Sequence, residues 1–108
     1  MTRVELAKMI DQTRLNAYAT LDDINQLCDE AAAYGFAAVS VNPAWTSYCA
    51  KRLKGRGVAV NAVVGFPLGA NTSQTKVEET REAVRHGATE IDMVINIGML
   101  KAGNDEYV

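Results

Sequence analysis

Two hydrophobic patterns take turns along this chain. In one, apolar residues occupy consecutive positions for six to eight residues: "FAAVSV" (36–41), "VAVNAVV" (58–64) and "EIDMVINI" (90–97). Runs of small and β-branched residues of that length predict strands buried on both faces. "MIDQT" (9–13) predicts a shorter extended piece that leaves through the polar turn "RLNAYAT". In the other pattern, apolar residues recur every third or fourth position, as on one face of a helix.

Residues 3–9 predict a short leading helix. Thr20 is a capping residue with Asp23 three positions on, and Asp22 and Asp23 suit the positive end of a helix. Leu21, Ile24, Leu27, Cys28 and Ala31 then recur at helical spacing until Gly35 ends the run. Pro43 suits the first turn of a second helix, with Trp45, Cys49 and Leu53 as its apolar stripe and Gly55 and Gly57 closing it. Thr72 caps a third helix, predicted to face Val77, Thr80 and Val84 inward and Glu78, Glu79, Arg81, Glu82 and Arg85 outward. His86 and Gly87 end it, the histidine acting as a cation near a helix C-terminus. "GMLKAGNDEYV" predicts a loop with the first turn of a further helix.

The resulting order, β-α-β-α-β-α-β, predicts a parallel sheet covered by helices in an α/β fold. Right-handed crossovers leave two architectures, an open doubly wound sheet or part of a (β/α)8 barrel. No Gly-rich phosphate loop follows the first strand, which weighs against a dinucleotide-binding sheet.

Composition narrows the function classes. The chain has 108 residues and a formal net charge of −2, which gives no reason to expect nucleic acid or an anionic membrane as a partner. No apolar run approaches a membrane span, and the charged N-terminus lacks a signal peptide's apolar stretch, so the expected compartment is the cytoplasm. Cys28 and Cys49 fall in different predicted helices. They are expected to be two reduced, half-buried thiols, with a disulfide between them as the alternative. With His86 alone they lack the spacing of a metal site.

Strand parity shows which polar residues point together. Asp92, Val94 and Asn96 share one face of the last strand, Ser40 and Asn42 a face of the second, and Asp11 and Thr13 a face of the first. All lie within or toward the C-terminal ends of their strands, where α/β folds assemble sites. Structural roles are open for each. Asn42 before Pro43 can shape a turn, Ser40 can be packing, and Asp11 can accept from backbone N–H groups. Asp92 sits mid-strand among apolar neighbours, where a carboxylate needs a partner, and no lysine or arginine is predicted in a strand to supply one. Asn61, also mid-strand, is read as structural.

Four segments resemble the 2-deoxyribose-5-phosphate aldolase family: "IDQTRLN", "VNP", "VVGFPLGANTSQTKVEET" and above all "GATEIDMVINIGMLKAGN". They span essentially the whole chain. The resemblance implies a (β/α)8 barrel and a class I retro-aldol reaction on 2-deoxyribose 5-phosphate, giving acetaldehyde and glyceraldehyde 3-phosphate through a lysine Schiff base, with no metal and no organic cofactor. It implies that Asp92 is the catalytic aspartate that works with two lysines in proton transfer, commonly through a water. It also places Asp11, with Thr13 and Leu15 beside it, near the substrate hydroxyls, and Ser40 in the pocket lining.

Such barrels usually take about 250 residues, and the four strands predicted here correspond to an N-terminal half barrel. The family's Schiff-base lysine, its second lysine and its phosphate-binding loops belong to later strands. Of Lys8, Lys51, Lys54, Lys76 and Lys101, all but Lys101 read as solvated helix residues, and Lys101 as an exposed loop residue. The chain is therefore expected to be inactive alone. Its open edges predict a homo-oligomer, a domain-swapped dimer or pairing with a C-terminal half. The alternative expectation is a non-catalytic half barrel that folds as a homo-oligomer.

Overall fold

The computed structural model describes all 108 residues. Its elements in chain order are α1 (Arg3–Ala7), β1 (Asp11–Arg14), α2 (Leu21–Tyr34), β2 (Ala38–Val41), a 3-10 turn (Pro43–Trp45) running into α3 (Thr46–Arg52), β3 (Ala59–Val64), α4 (Ser73–Arg85), β4 (Glu90–Met93) and α5 (Ile97–Lys101). The four strands are parallel and lie in the order β1-β2-β3-β4. Sequential order with no reversal is the barrel arrangement, not that of a doubly wound sheet.

The helix starts follow local chemistry. Thr20 and Asp23 form a reciprocal capping box, and Gly35 closes α2 in the left-handed conformation at φ 68°. The Thr20 bonds, the backbone one foremost, hold the Asp23 carboxyl below its usual range, and Arg14 at 3.2 Å adds to this. Thr72 caps α4 by accepting from the Thr75 N–H.

The larger apolar cluster lies on one side of the sheet. Ile24, Leu27, Cys28 and Ala31 of α2 and Cys49 of α3 pack with Leu53 on Val39, Val41 and Val60. Burying each large aliphatic contributes about 1.5–3 kcal/mol. A smaller cluster joins Ala62 to Ala83 of α4, Ala88 and Ile91. The opposite face carries Asp11, Thr13, Ser40, Asn61 and Asp92, together with the buried Ala38 and Val63.

Several expectations are corrected. β1 runs to Arg14, so one arginine does lie in a strand, but it turns to the helix side and pairs with Asp23. β4 stops at Met93, because Asn96 leaves the strand to cap α5 by accepting from the Met99 N–H at 3.0 Å. Val77 and Val84 are exposed, at 44% and 56%, and the buried residue of α4 is Ala83. The small Ala83–Ala62 contact draws the helix axis close to β3, so the flanking valines fall to its sides. Both thiols are fully buried, where half-buried ones were expected.

The β3–α4 loop is fixed by close approach. Gly69 has φ +65°, and a Cβ there would lie 2.0 Å from the Ile95 carbonyl oxygen and 2.8 Å from Val94. Its N–H donates to Gly65 O at 2.7 Å, and its own carbonyl accepts from Lys76 Nζ at 2.8 Å. Lys76 is consequently half-buried, not the solvated residue its helical position suggests.

Candidate functional site

Strand register assembles the polar face. Thr13 lies beside Ser40 and Ser40 beside Asn61, while Asp92 stands opposite Val63, two residues beyond the Glu90 that faces Asn61. Asn61 is only 1% exposed. Its Nδ2 donates to Ser40 Oγ at 2.9 Å and to Asp92 Oδ2 at 2.8 Å, so a single amide joins β2, β3 and β4. Both N–H protons are thereby used, and the Asn61 Oδ1 has no partner. Such an acceptor inside a protein costs about 1–3 kcal/mol if nothing satisfies it.

Asp92 itself is exposed, because β4 is an edge strand, and this overturns the expectation of a carboxylate shut into an apolar strand. Asn61 holds its Oδ2, no cation forms an ion pair with it, and Oδ1 accepts from no protein donor. One oxygen is thus fixed by the amide, and the other is open on the exposed edge of the polar face.

The remaining candidates line the same face at greater distance. Ser40 is 4% exposed, and its hydroxyl accepts from Asn61. Asp11 and Thr13 are both exposed on β1, with Thr13 Oγ1 donating to the Asp11 carbonyl at 2.9 Å. Asn42 donates to the Leu15 carbonyl at 3.2 Å, which ties the loop after β1 to the end of β2 and places Leu15 at the rim. The structure therefore joins Ser40 and Asp92 through Asn61, and keeps Asp11, Thr13 and Leu15 together on the neighbouring strand and rim. Asn61 is the residue that sequence reasoning set aside. Its signal was present: an amide in an otherwise apolar strand, flanked in chain order by strands with a polar residue at a comparable position.

The lysines lie elsewhere. Lys76 is bound to the β3–α4 loop, and Lys101 is exposed at the end of α5. A groove of about 470 Å³, lined by Val77, Met93, Ile95, Tyr107 and Val108 among others, shares no residue with the Asp92 cluster. No group of three or more His, Cys, Asp or Glu side chains is arranged to hold a metal ion. No helix is long and apolar enough to cross a membrane.

The DeoC/LacD family aldolase profile matches residues 5–108. A deoxyribose-phosphate aldolase of Geobacillus sp. (strain WCH70) is 57% identical over 103 residues, covering 95% of this chain and 46% of its own. One from Clostridium kluyveri is 55% identical over 108 residues, covering 100% of this chain and 50% of its own. Among solved structures, the tetrameric deoxyribose phosphate aldolase of Aeropyrum pernix superposes with a TM-score of 0.85 at 34% identity, over 91% of this chain and 42% of that one. The chain thus spans about half the length of the curated relatives it matches, and its four strands form a half barrel of the (β/α)8 type.

Proposed function

The chain belongs to the DeoC/LacD aldolase family, and we propose that its polar face is one part of a deoxyribose-phosphate aldolase site. The substrate is 2-deoxyribose 5-phosphate and the products are acetaldehyde and glyceraldehyde 3-phosphate. The observation that carries this reading is the Asp92 carboxylate, held by Asn61 through one oxygen and free at the other.

In the retro-aldol step the substrate's hydroxyl proton must leave as the carbon–carbon bond breaks, and a proton must later return to the acetaldehyde carbon. Asp92 acts as the group that takes and returns protons, directly or through a water. The Asn61 amide fixes the orientation of the carboxylate and keeps it from turning toward the exposed edge. Asp11 and Thr13 contact the sugar hydroxyls, with Leu15 at the rim, and Ser40 lines the pocket. The electron sink is a lysine imine. None of the five lysines in these residues is paired with Asp92, and the family resemblance puts the imine lysine on a later strand of the barrel. The reading requires no metal or organic cofactor, no nucleic acid and no membrane, and it places the reaction in the cytoplasm.

The test has two arms. The chain is incubated with acetaldehyde and reduced with borohydride, with excess deoxyribose 5-phosphate as competitor, and lysines are mapped by mass. No single protected lysine is expected. In the second arm the chain is combined with the C-terminal half of one of its aldolase relatives. Turnover is expected with Asp92 and not with Asp92→Asn, and equal turnover by the two would overturn the reading.

A second reading rests on the edges. Met93, Ile95, Ile97 and Leu100 are 38–50% exposed beside β4, and Val4, Leu6 and Tyr34 are 51–71% exposed beside β1. Apolar surface at both open edges fits a homo-oligomer that keeps the polar face without turnover.

A further inference from the structure

The two cysteines lie on the helix side of the sheet, away from the polar face, and no part of the aldolase reading uses them. Cys28 projects from α2 and Cys49 from α3, and their sulfurs are 3.8 Å apart as free thiols. A disulfide needs about 2.05 Å, so closure asks for a shift of less than the width of one atom shared between two helices. Both residues are almost wholly buried, at 1% and 0%, yet they are not equivalent. A pocket of about 160 Å³ opens on Cys28, walled by Asp29, Ala32, Arg52, Leu53 and Arg56, and Cys49 is not in its lining. A water occupies about 30 Å³ of liquid, so the pocket admits a molecule the size of a peroxide.

The charges at this pocket favour the same sulfur. The S–H···S contact with Cys49 holds the Cys28 thiol below its usual range, and the Arg52 guanidinium helps, against the opposing effects of burial and of Asp29. Cys49 is pushed up, first by that same contact and then by burial. The thiolate is the reactive form, and the pocket opens on Cys28 beside Arg52 and Arg56 but not on Cys49, so Cys28 is the attacking sulfur and Cys49 the one held in reserve.

We propose that Cys28 and Cys49 form an oxidation site for small hydroperoxides, closing to a disulfide that staples α2 to α3. The Cys28 thiolate attacks one peroxide oxygen, forming an S–O bond as the O–O bond breaks, and hydroxide (or alkoxide) leaves. The sulfur is oxidised to a sulfenic acid and the peroxide is reduced. Cys49 then attacks that sulfur, the S–S bond forms, the S–O bond breaks, and water departs with the thiol proton. The site is independent of the aldolase reading.

The test uses this chain with hydrogen peroxide, quenched with a maleimide and followed by intact mass and non-reducing peptide mapping. The expected result is loss of two hydrogens and a Cys28–Cys49 cross-linked peptide, formed about tenfold or more faster than in guanidinium, where proximity and thiolate bias are lost. Cys49→Ser is expected to stop at a sulfenic acid on Cys28, captured by dimedone. Equal rates with and without denaturant, capture on Cys49 instead of Cys28, or disulfides formed between chains would each overturn the proposal. The comparison with denaturant uses the unaltered chain, so it decides the matter even if a serine variant fails to fold.

Discussion

Asn61 and Asp92, 31 residues apart in the chain, meet at 2.8 Å through an amide N–H donated to a carboxylate oxygen. The same nitrogen donates to Ser40, so the contact is a three-strand bridge. Removing the amide by Asn61→Ala is expected to destabilise the fold by about 1–3 kcal/mol. In a double-mutant cycle with Asp92→Ala, read by urea unfolding, the coupling is expected to be about 1 kcal/mol, limited by the exposure of Asp92. Additive losses would show that the bridge does not hold the carboxylate.

Gly69 is expected to tolerate no side chain. An alanine there would carry a Cβ into the Ile95 carbonyl oxygen at 2.0 Å and would sit at a positive φ of 65°. Strain of both kinds predicts a loss of about 2 kcal/mol or more for Gly69→Ala. Gly55 has a similar φ but nothing within 4 Å, and supplies the control. Equal losses at the two positions would leave conformation alone as the cause.

Acid should loosen α2 at its N-terminus. The folded-state carboxyl of Asp23 is held down by its bonds to Thr20 and by Arg14. The stability it supplies is therefore full above the unfolded-state value near 3.9 and is lost as pH falls through the lower folded value. Asp23→Asn is expected to lower the urea midpoint at pH 7, and the gap from the unaltered chain should narrow as pH falls below about 4. A gap that stayed constant would mean that Asp23 acts through its shape and not its charge.

The apolar edge beside β4 should govern self-association. Val77 and Met93 line one groove and are 44% and 48% exposed. Sedimentation velocity across a dilution series is expected to show association, and the pair Val77→Glu and Met93→Glu to weaken it by tenfold or more, since a buried unpaired charge costs about 2 kcal/mol or more. A monomer at every concentration would remove the oligomer reading.

Legibility in the sequence followed the range of the forces involved. The start and end of α2 were readable because each cap acts locally, Thr20 with Asp23 within the first turn and Gly35 with Ala31 at the last. Thr72 at the start of α4 was readable for the same reason. The inward face of α4 was not, because Val77 and Val84 fit the helical period as well as Ala83 does, and only the close fit of Ala83 to Ala62 chose between them. Asn96 was counted with the strand because its parity matched Asp92, although an asparagine is also a good helix cap.

The sequence by itself determined the alternation of strands and helices, most of their caps, and the set of polar residues that share a strand face, since parity and capping are decided by neighbours in the chain. Tertiary structure alone decided two things. One is the register that sets Asn61 between Ser40 and Asp92, fixed by long-range packing of Val39, Val41 and Val60 under α2 and α3. The other is the edge position of β4, which leaves Asp92 open to solvent. A carboxylate that looks buried in a string of apolar letters is exposed here because no strand among these residues pairs with the far side of its own.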